Sequence, residues 1–154
     1  QYWQSNKLLY NDVMKLLTTE IVHLLLSTLI GLFFWSTSGI WGLVGAIFAG
    51  FLVDSDHMID YLIYLKNWRK FSIKQFISSE QFVKSNKLYI FFHSWEYGLI
   101  FLTLSITLNF PILTTISISY LTHLTIDQLT NDVRPFTYFI LARAKHGFVN
   151  QCKS

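Results

Sequence analysis

The sequence lacks most of what stabilises a small water-soluble domain. Only 14% of its 154 residues are Asp, Glu, Lys or Arg, where soluble domains carry about 25%. It has a single cysteine, Cys152, so no internal disulfide framework can form. Proline occurs twice, at Pro111 and Pro135. No repeat or low-complexity segment interrupts the chain, and its first residue is Gln1 rather than methionine. In place of charge there is apolar mass: 52% hydrophobic residues, 18% aromatic, and a mean hydropathy of +0.39. This balance points to a membrane protein in one domain over residues 1–154.

Four apolar stretches, 16–35, 39–65, 88–110 and 111–129, each reach the roughly 20 residues that cross a bilayer core. The fold class expected is all-α, a polytopic four-helix membrane bundle. Its basic residues are distributed asymmetrically. Lys7 and Lys15 precede the first stretch, six lie between Lys66 and Lys87, and Arg134, Arg143, Lys145 and Lys153 follow the fourth. The short connections 36–38 and 109–111 have none. The positive-inside rule then makes both termini cytoplasmic. In the second stretch, Gly39, Gly42, Gly45, Ala46, Ala49 and Gly50 permit close helix approach and predict a central helix. Residues 68–87 mix aromatic and aliphatic side chains with Arg69, Lys70, Lys74, Lys84 and Lys87. They predict a basic amphipathic helix lying on anionic headgroups. The apolar stretch 136–144 is too short to cross and suits an interfacial or re-entrant piece.

Against this background four of the five histidines lie inside apolar stretches, one in each. They form Glu20-x-x-His23, Asp54-x-Asp56-His57, His93-x-x-Glu96 and His123-x-x-x-Asp127. An ionisable group in hydrocarbon costs several kcal/mol unless it is paired or bound to something. A lone helical histidine such as His23 is commonly a hydrogen-bonded packing residue, and Glu20 would be at home at a headgroup boundary. Asp54, Asp56 and His57 within four positions have no such packing rationale. With a rise of 1.5 Å per residue, all four clusters fall about 18–27 Å from the outer end of their helices, in one layer. Spacings of three and four residues put each pair on one helix face. Four helices offering polar faces at one depth form a bundle-core site.

The ligands expected are His23, Asp54, Asp56, His57, His93, His123 and Asp127. Asp60 and Glu20, at the cluster edges, suit outer partners. Imidazole and carboxylate without thiolate suit a divalent transition ion, zinc first, with manganese or iron as alternatives. So many candidates imply two ions, or one ion with a rich set of orienting partners. Glu96 and Asp60 are the candidate general bases. The partners expected are anionic lipid headgroups and a second copy of the chain; no nucleic-acid partner is expected.

The spacing His23, Asp54-Ser55-Asp56-His57, His93-Ser94, His123-x-x-x-Asp127-x-x-Thr130 and Pro135 resembles bacterial inner-membrane metal-dependent hydrolases, the group sometimes labelled LexA-binding membrane hydrolases. The resemblance covers most of the chain and implies hydrolysis in a bacterial inner membrane. The depth of the clusters near the cytoplasmic headgroups and the basic segment 68–87 point to a phospholipid or lipid-linked phosphoester as the substrate, cleaved through metal-activated water. Two places differ. The family's Arg-Gly-x-Thr-His-Ser approach is here Tyr89-Ile90-Phe91-Phe92-His93-Ser94, and Asn131-Asp132 stand where it has glycine. The alternative from the same residues is a proton or divalent-metal transporter; a single polar layer and no visible inverted repeat favour the hydrolase. The one-sided basic residues predict a cytoplasmic C-terminus, so a reporter fused at Ser154 should be active only in its cytoplasmic form; an exported reporter would contradict the topology.

Overall fold

Gly42, Ala46 and Gly50 occupy every fourth position of one helix, and their facing neighbours decide how the chain packs. In a computed structural model of the protein, residues 2–78, 80–131 and 133–149 are described, with side chains described from Val13 onward except at 52, 80, 81 and 83. Asp132, Cys152 and Lys153 lie outside the described residues, as does the side chain of Lys7. The protein is all-helical, and no strand occurs among the described residues. The long helices are α1 (Tyr2–Phe33), α2 (Trp35–Phe51), α3 (Ser55–Leu65), α6 (Trp95–Thr107) and α7 (Pro111–Thr130). The shorter ones are α4 (Ile73–Ile77), α5 (Glu80–Ser85) and α8 (Ile140–Lys145).

The helix α7 packs against α1, α2 and α6, while α2 packs against α1 and α7. The centre is therefore α7, where the glycine pattern predicted the second apolar stretch. The small residues act at its contact with α1 and α2. Ser38, Gly42, Ala46 and Gly50 are the buried stripe of α2. The Ser119 hydroxyl of α7 donates to Ala46 O at 2.7 Å. A Cβ placed on Gly50 would stand 2.8 Å from Ser27 Cβ and 2.9 Å from Ser119 Oγ. Close backbone approach of this kind needs small side chains. Gly39 breaks the helical path near the start of α2, with φ 59° and ψ −157°, a region open essentially to glycine.

Two of the four predicted spans remain long and apolar enough to cross a membrane: Val13–Phe33 and Trp35–Leu65. The second is not one continuous helix. A 3₁₀ turn, Leu52–Asp54, separates α2 from α3 and puts Asp54 at the break. The predicted third span, 88–110, is helical only over the 13 residues of α6, or about 20 Å. Residues 88–94 are irregular because side chains from elsewhere occupy their backbone groups. The fourth, α7, has 20 residues but carries Thr115, Ser117, Ser119, His123 and Asp127 among its buried positions. Surrounded by three helices, α7 needs no continuous apolar face. It starts at Pro111, whose fixed φ suits the first helical position, after Asn109 turns the chain at φ 50°.

The segment 68–87 is not the single amphipathic helix predicted. It consists of a 3₁₀ turn, Trp68–Lys70, followed by α4 and α5. Tyr61 ties it to α3: its hydroxyl accepts Ser72 N–H at 3.2 Å and donates to Gln75 Oε1 at 3.1 Å. The stretch around α8 folds back on the irregular segment. Leu88 N donates to Phe148 O and Trp95 N to Tyr138 O, both at 2.9 Å. Leu88, Ile90 and Tyr138 form a small buried apolar cluster there.

Burial is inverted relative to a soluble bundle. His23, Asp56, Asp60, His93, Thr115, Ser119, His123 and Asp127 are buried, while Leu29 is 60% exposed, Phe33 80% and Trp41 71%. The tight α1–α2–α7 contact gives a first stability test. Gly50→Val should cost about 1–3 kcal/mol through overpacking, read by unfolding of the purified protein in detergent. A variant with unchanged stability would mean that α1 and α7 do not approach α2 as closely as described.

Candidate metal centre

Three segments deliver four ligand atoms to one point. The break after α2 brings Asp54, the irregular segment brings His93, and α7 brings His123 and Asp127 one turn apart. These four groups offer atoms that all lie within 4.8 Å of one another. His93 Nε2 is 3.2 Å from Asp54 Oδ1, 3.1 Å from Asp127 Oδ2 and 3.3 Å from His123 Nε2. His123 Nε2 is 3.4 Å from Asp127 Oδ2 and 3.7 Å from Asp54 Oδ1. Ligands held about 2.0–2.1 Å from a tetrahedral ion stand about 3.3–3.4 Å apart. The five edges of the group, 3.1–3.7 Å, bracket that spacing.

The groups behind the two imidazoles orient their inner nitrogens. His123 Nδ1 lies 2.9 Å from Gly50 O, and a carbonyl can only accept, so Nδ1 carries a proton and Nε2 faces the group. His93 Nδ1 lies 3.0 Å from Asp56 Oδ1, and its Nε2 faces the same group. Two imidazole nitrogens and two carboxylate oxygens thus converge in a buried space, where a cation between them answers the carboxylate charge. The residues fit a metal ion, and a carboxylate behind a ligating histidine is the usual orienting arrangement.

Asp56 does two jobs for His93. Its Oδ2 accepts Phe92 N–H at 2.8 Å and His93 N–H at 3.3 Å, while Oδ1 faces the ring. It is fully buried behind His93, outside the first four atoms, and with His57 and His93 it forms a second group whose ligand atoms lie within 4.8 Å of one another. His57 is at the rim, 29% exposed, with Nε2 3.7 Å from Asp54 Oδ1. Its ring lies against those of His93 and Phe82. His23 is buried on α1, with Nε2 3.1 Å from Asp127 Oδ1. Asp127 therefore meets three imidazoles, two through Oδ2 and one through Oδ1.

The two carboxylates expected as bases hold backbone instead. Asp60 Oδ1 accepts Tyr89 N–H at 2.8 Å. Glu96 accepts the Ser94 hydroxyl at 2.6 Å and the N–H groups of Ile140 and Leu141 at 3.1 Å, which anchors the start of α8. Neither belongs to the group of inner atoms.

Two residues emerge only in three dimensions. Arg143, 1% exposed, donates to Ile90 O and, at 2.7 Å, to His93 O. Burial pulls its pKa below the ordinary arginine value, and the Asp56 and Glu96 carboxylates oppose that shift. The Tyr120 hydroxyl bonds Phe92 O and, at 2.9 Å, Ser94 O, and accepts Ser94 N–H at 3.1 Å. The backbone on both sides of His93 is thereby pinned. A cation inside the apolar stretch 136–144 was the available signal for Arg143. Tyr120 gave none, because a tyrosine in a greasy helix is ordinary.

No family model, curated protein or solved structure matches the chain. His123→Ala should abolish tight zinc binding at the four-atom position, and Asp56→Asn should weaken it about 10–100-fold by freeing the His93 ring. His146→Ala, on the exposed tail, should leave it unchanged. Zinc titration of purified protein, with elemental analysis after gel filtration, reads all three.

Proposed function

We propose that this chain is a membrane-embedded, metal-dependent hydrolase that cleaves a phosphoester of a phospholipid or lipid-linked phosphate at the cytoplasmic face of a bacterial inner membrane. The observation that carries the proposal is the buried group Asp54, His93, His123 and Asp127, whose ligand atoms lie within 4.8 Å of one another inside a bundle that exposes its apolar side chains. That inversion suits lipid as the surrounding solvent. The spacing of His23, Asp54-Ser-Asp-His57, His93 and His123-x-x-x-Asp127, similar to that of the membrane hydrolases named above, supports hydrolysis over mere storage of an ion.

A bound divalent ion, zinc by ligand preference, supplies water activation at neutral pH and stabilisation of developing negative charge. The chain's own residues do the rest. Gly50 O accepts from the His123 ring, and Asp56 stands 3.0 Å behind the His93 ring. Asp54 and His57 lie on the half-exposed side, where a headgroup can enter. His57, 29% exposed beside Asp54, is the group we assign to moving the proton between water and leaving group. Arg69, Lys70, Lys74, Lys84 and Lys87 all fall in the 68–87 segment, on the side that the positive-inside rule makes cytoplasmic, and suit an anionic headgroup.

A transport reading draws on one observation. Buried hydroxyls of Ser27, Ser38, Thr115 and Ser119 line the contacts of α1, α2 and α7 away from the cluster. Each of them already donates to a helix carbonyl, which suits packing better than a path for ions. His57→Asn should keep the metal and lower turnover about 10²–10⁴-fold, measured as release of water-soluble phosphate or headgroup from lipid substrates in detergent. Metal-dependent ion flux in proteoliposomes without turnover of any phosphoester would overturn the hydrolase in favour of transport.

A further inference from the structure

Asp54 and Asp127 each commit only one oxygen to the group of four atoms. Asp127 Oδ2 faces His93 and His123, while Oδ1 points the other way, 3.1 Å from His23 Nε2. Asp54 Oδ1 faces His93, while Oδ2 is buried with no hydrogen-bond donor. Glu20 arrives on the same face of α1 as His23, three residues earlier. Its carboxyl lies against that of Asp54, with His23 and Asp127 as its other charged neighbours. His23 is 2% exposed, and its Nδ1 has no partner either. Glu20 and His23 therefore add further donors on the α1 side of the two shared carboxylates.

Charge balance points the same way. Arg143 is electrostatically coupled to Asp56 and so answers that carboxylate. The charged groups found around Glu20, Asp54 and Asp127 are imidazoles and other carboxylates. Three carboxylates facing one divalent ion leave a surplus negative charge in an apolar bundle, where an unanswered charge is costly. A second divalent ion reverses the sign and leaves the site able to take an anionic phosphoester.

We propose that a second divalent cation binds between His23, Glu20, Asp54 Oδ2 and Asp127 Oδ1, so that Asp54 and Asp127 bridge a two-ion site. The inference rests on the metal reading of the Asp54–His93–His123–Asp127 position and extends it. Two ions sharing carboxylates clamp both the attacking and the leaving oxygen of an in-line displacement, which fits phosphoester cleavage. Glu20, half-buried on α1, is then a ligand.

The test uses the full chain in detergent, titrated with zinc alone or manganese alone, and counts ions per chain after gel filtration. Wild type should hold two. Glu20→Gln, which keeps the side chain's shape, and His23→Gln should each hold one tightly and bind the other at least about 10-fold more weakly. With manganese, wild type should give the electron paramagnetic resonance spectrum of a coupled pair, and Glu20→Gln that of an isolated ion. One ion in wild type, or two ions held by Glu20→Gln with unchanged affinity and an unchanged coupled spectrum, would overturn the second position while leaving the first intact. No ion in wild type would overturn the metal reading itself, and this inference with it.

Discussion

Carboxylates held among apolar helices set the terms for the rest of the structure. Asp127 is 2% exposed and meets His23, His93 and His123. In so apolar a setting an unpaired carboxylate would be strongly unfavourable, so the helices must bring its partners within about hydrogen-bond distance or not fold around it at all. Helices with bulky contact faces pack about 8–10 Å apart. Side chains as short as Asp and His meet across such a gap only where backbones come close. The glycine and serine stripe of α2 against α1 and α7 serves that purpose. Gly50 shows the coupling in one residue: its missing side chain admits Ser27 and Ser119, and its carbonyl fixes the His123 tautomer.

The same electrostatics explain why His93 is not on a helix. A helical residue has its amide and carbonyl tied up locally. An irregular one offers them to side chains, and here Asp56, Asp60, Tyr120 and Arg143 take them. Irregular backbone in an apolar setting persists only when its polar groups are satisfied in this way. Asp56 gains most from the exchange, because one buried carboxylate holds both the backbone and the ring of the same histidine. The segment carrying Arg143 and α8 closes over this side, with the guanidinium on the carbonyls of Ile90 and His93.

Several parts of this arrangement were legible in the residues. Long apolar stretches fix helices, since only a helix satisfies its own backbone in such surroundings. The i,i+4 spacing of His123 and Asp127 fixes their common face. Ionisable residues are scarce enough that each one in a greasy stretch stands out. Breaks in the helices were not legible. Residues 39–65 and 88–110 read as continuous because hydropathy measures composition, and a run such as Leu88–Phe92 is equally apolar whether it is helical or not. Asp60 and Glu96 read as free carboxylates for a related reason: their acceptors' partners are backbone amides of Tyr89, Ile140 and Leu141, which no side-chain pattern reports.

By itself, then, the sequence determined the class of structure and the pool of ligands. Both follow from local chemistry, namely the apolar content of a stretch and the cost of a charge placed within it. Tertiary structure alone decided which oxygen of each carboxylate faces which imidazole, and which histidine nitrogen faces the group. It also decided that Asp60 and Glu96 hold backbone while Glu20 lies against Asp54. These outcomes depend on distances between residues far apart in the chain, such as 104 positions for His23 and Asp127. Such distances are set by the close approach of α1, α2 and α7 and by the satisfaction of every polar group brought inside with them.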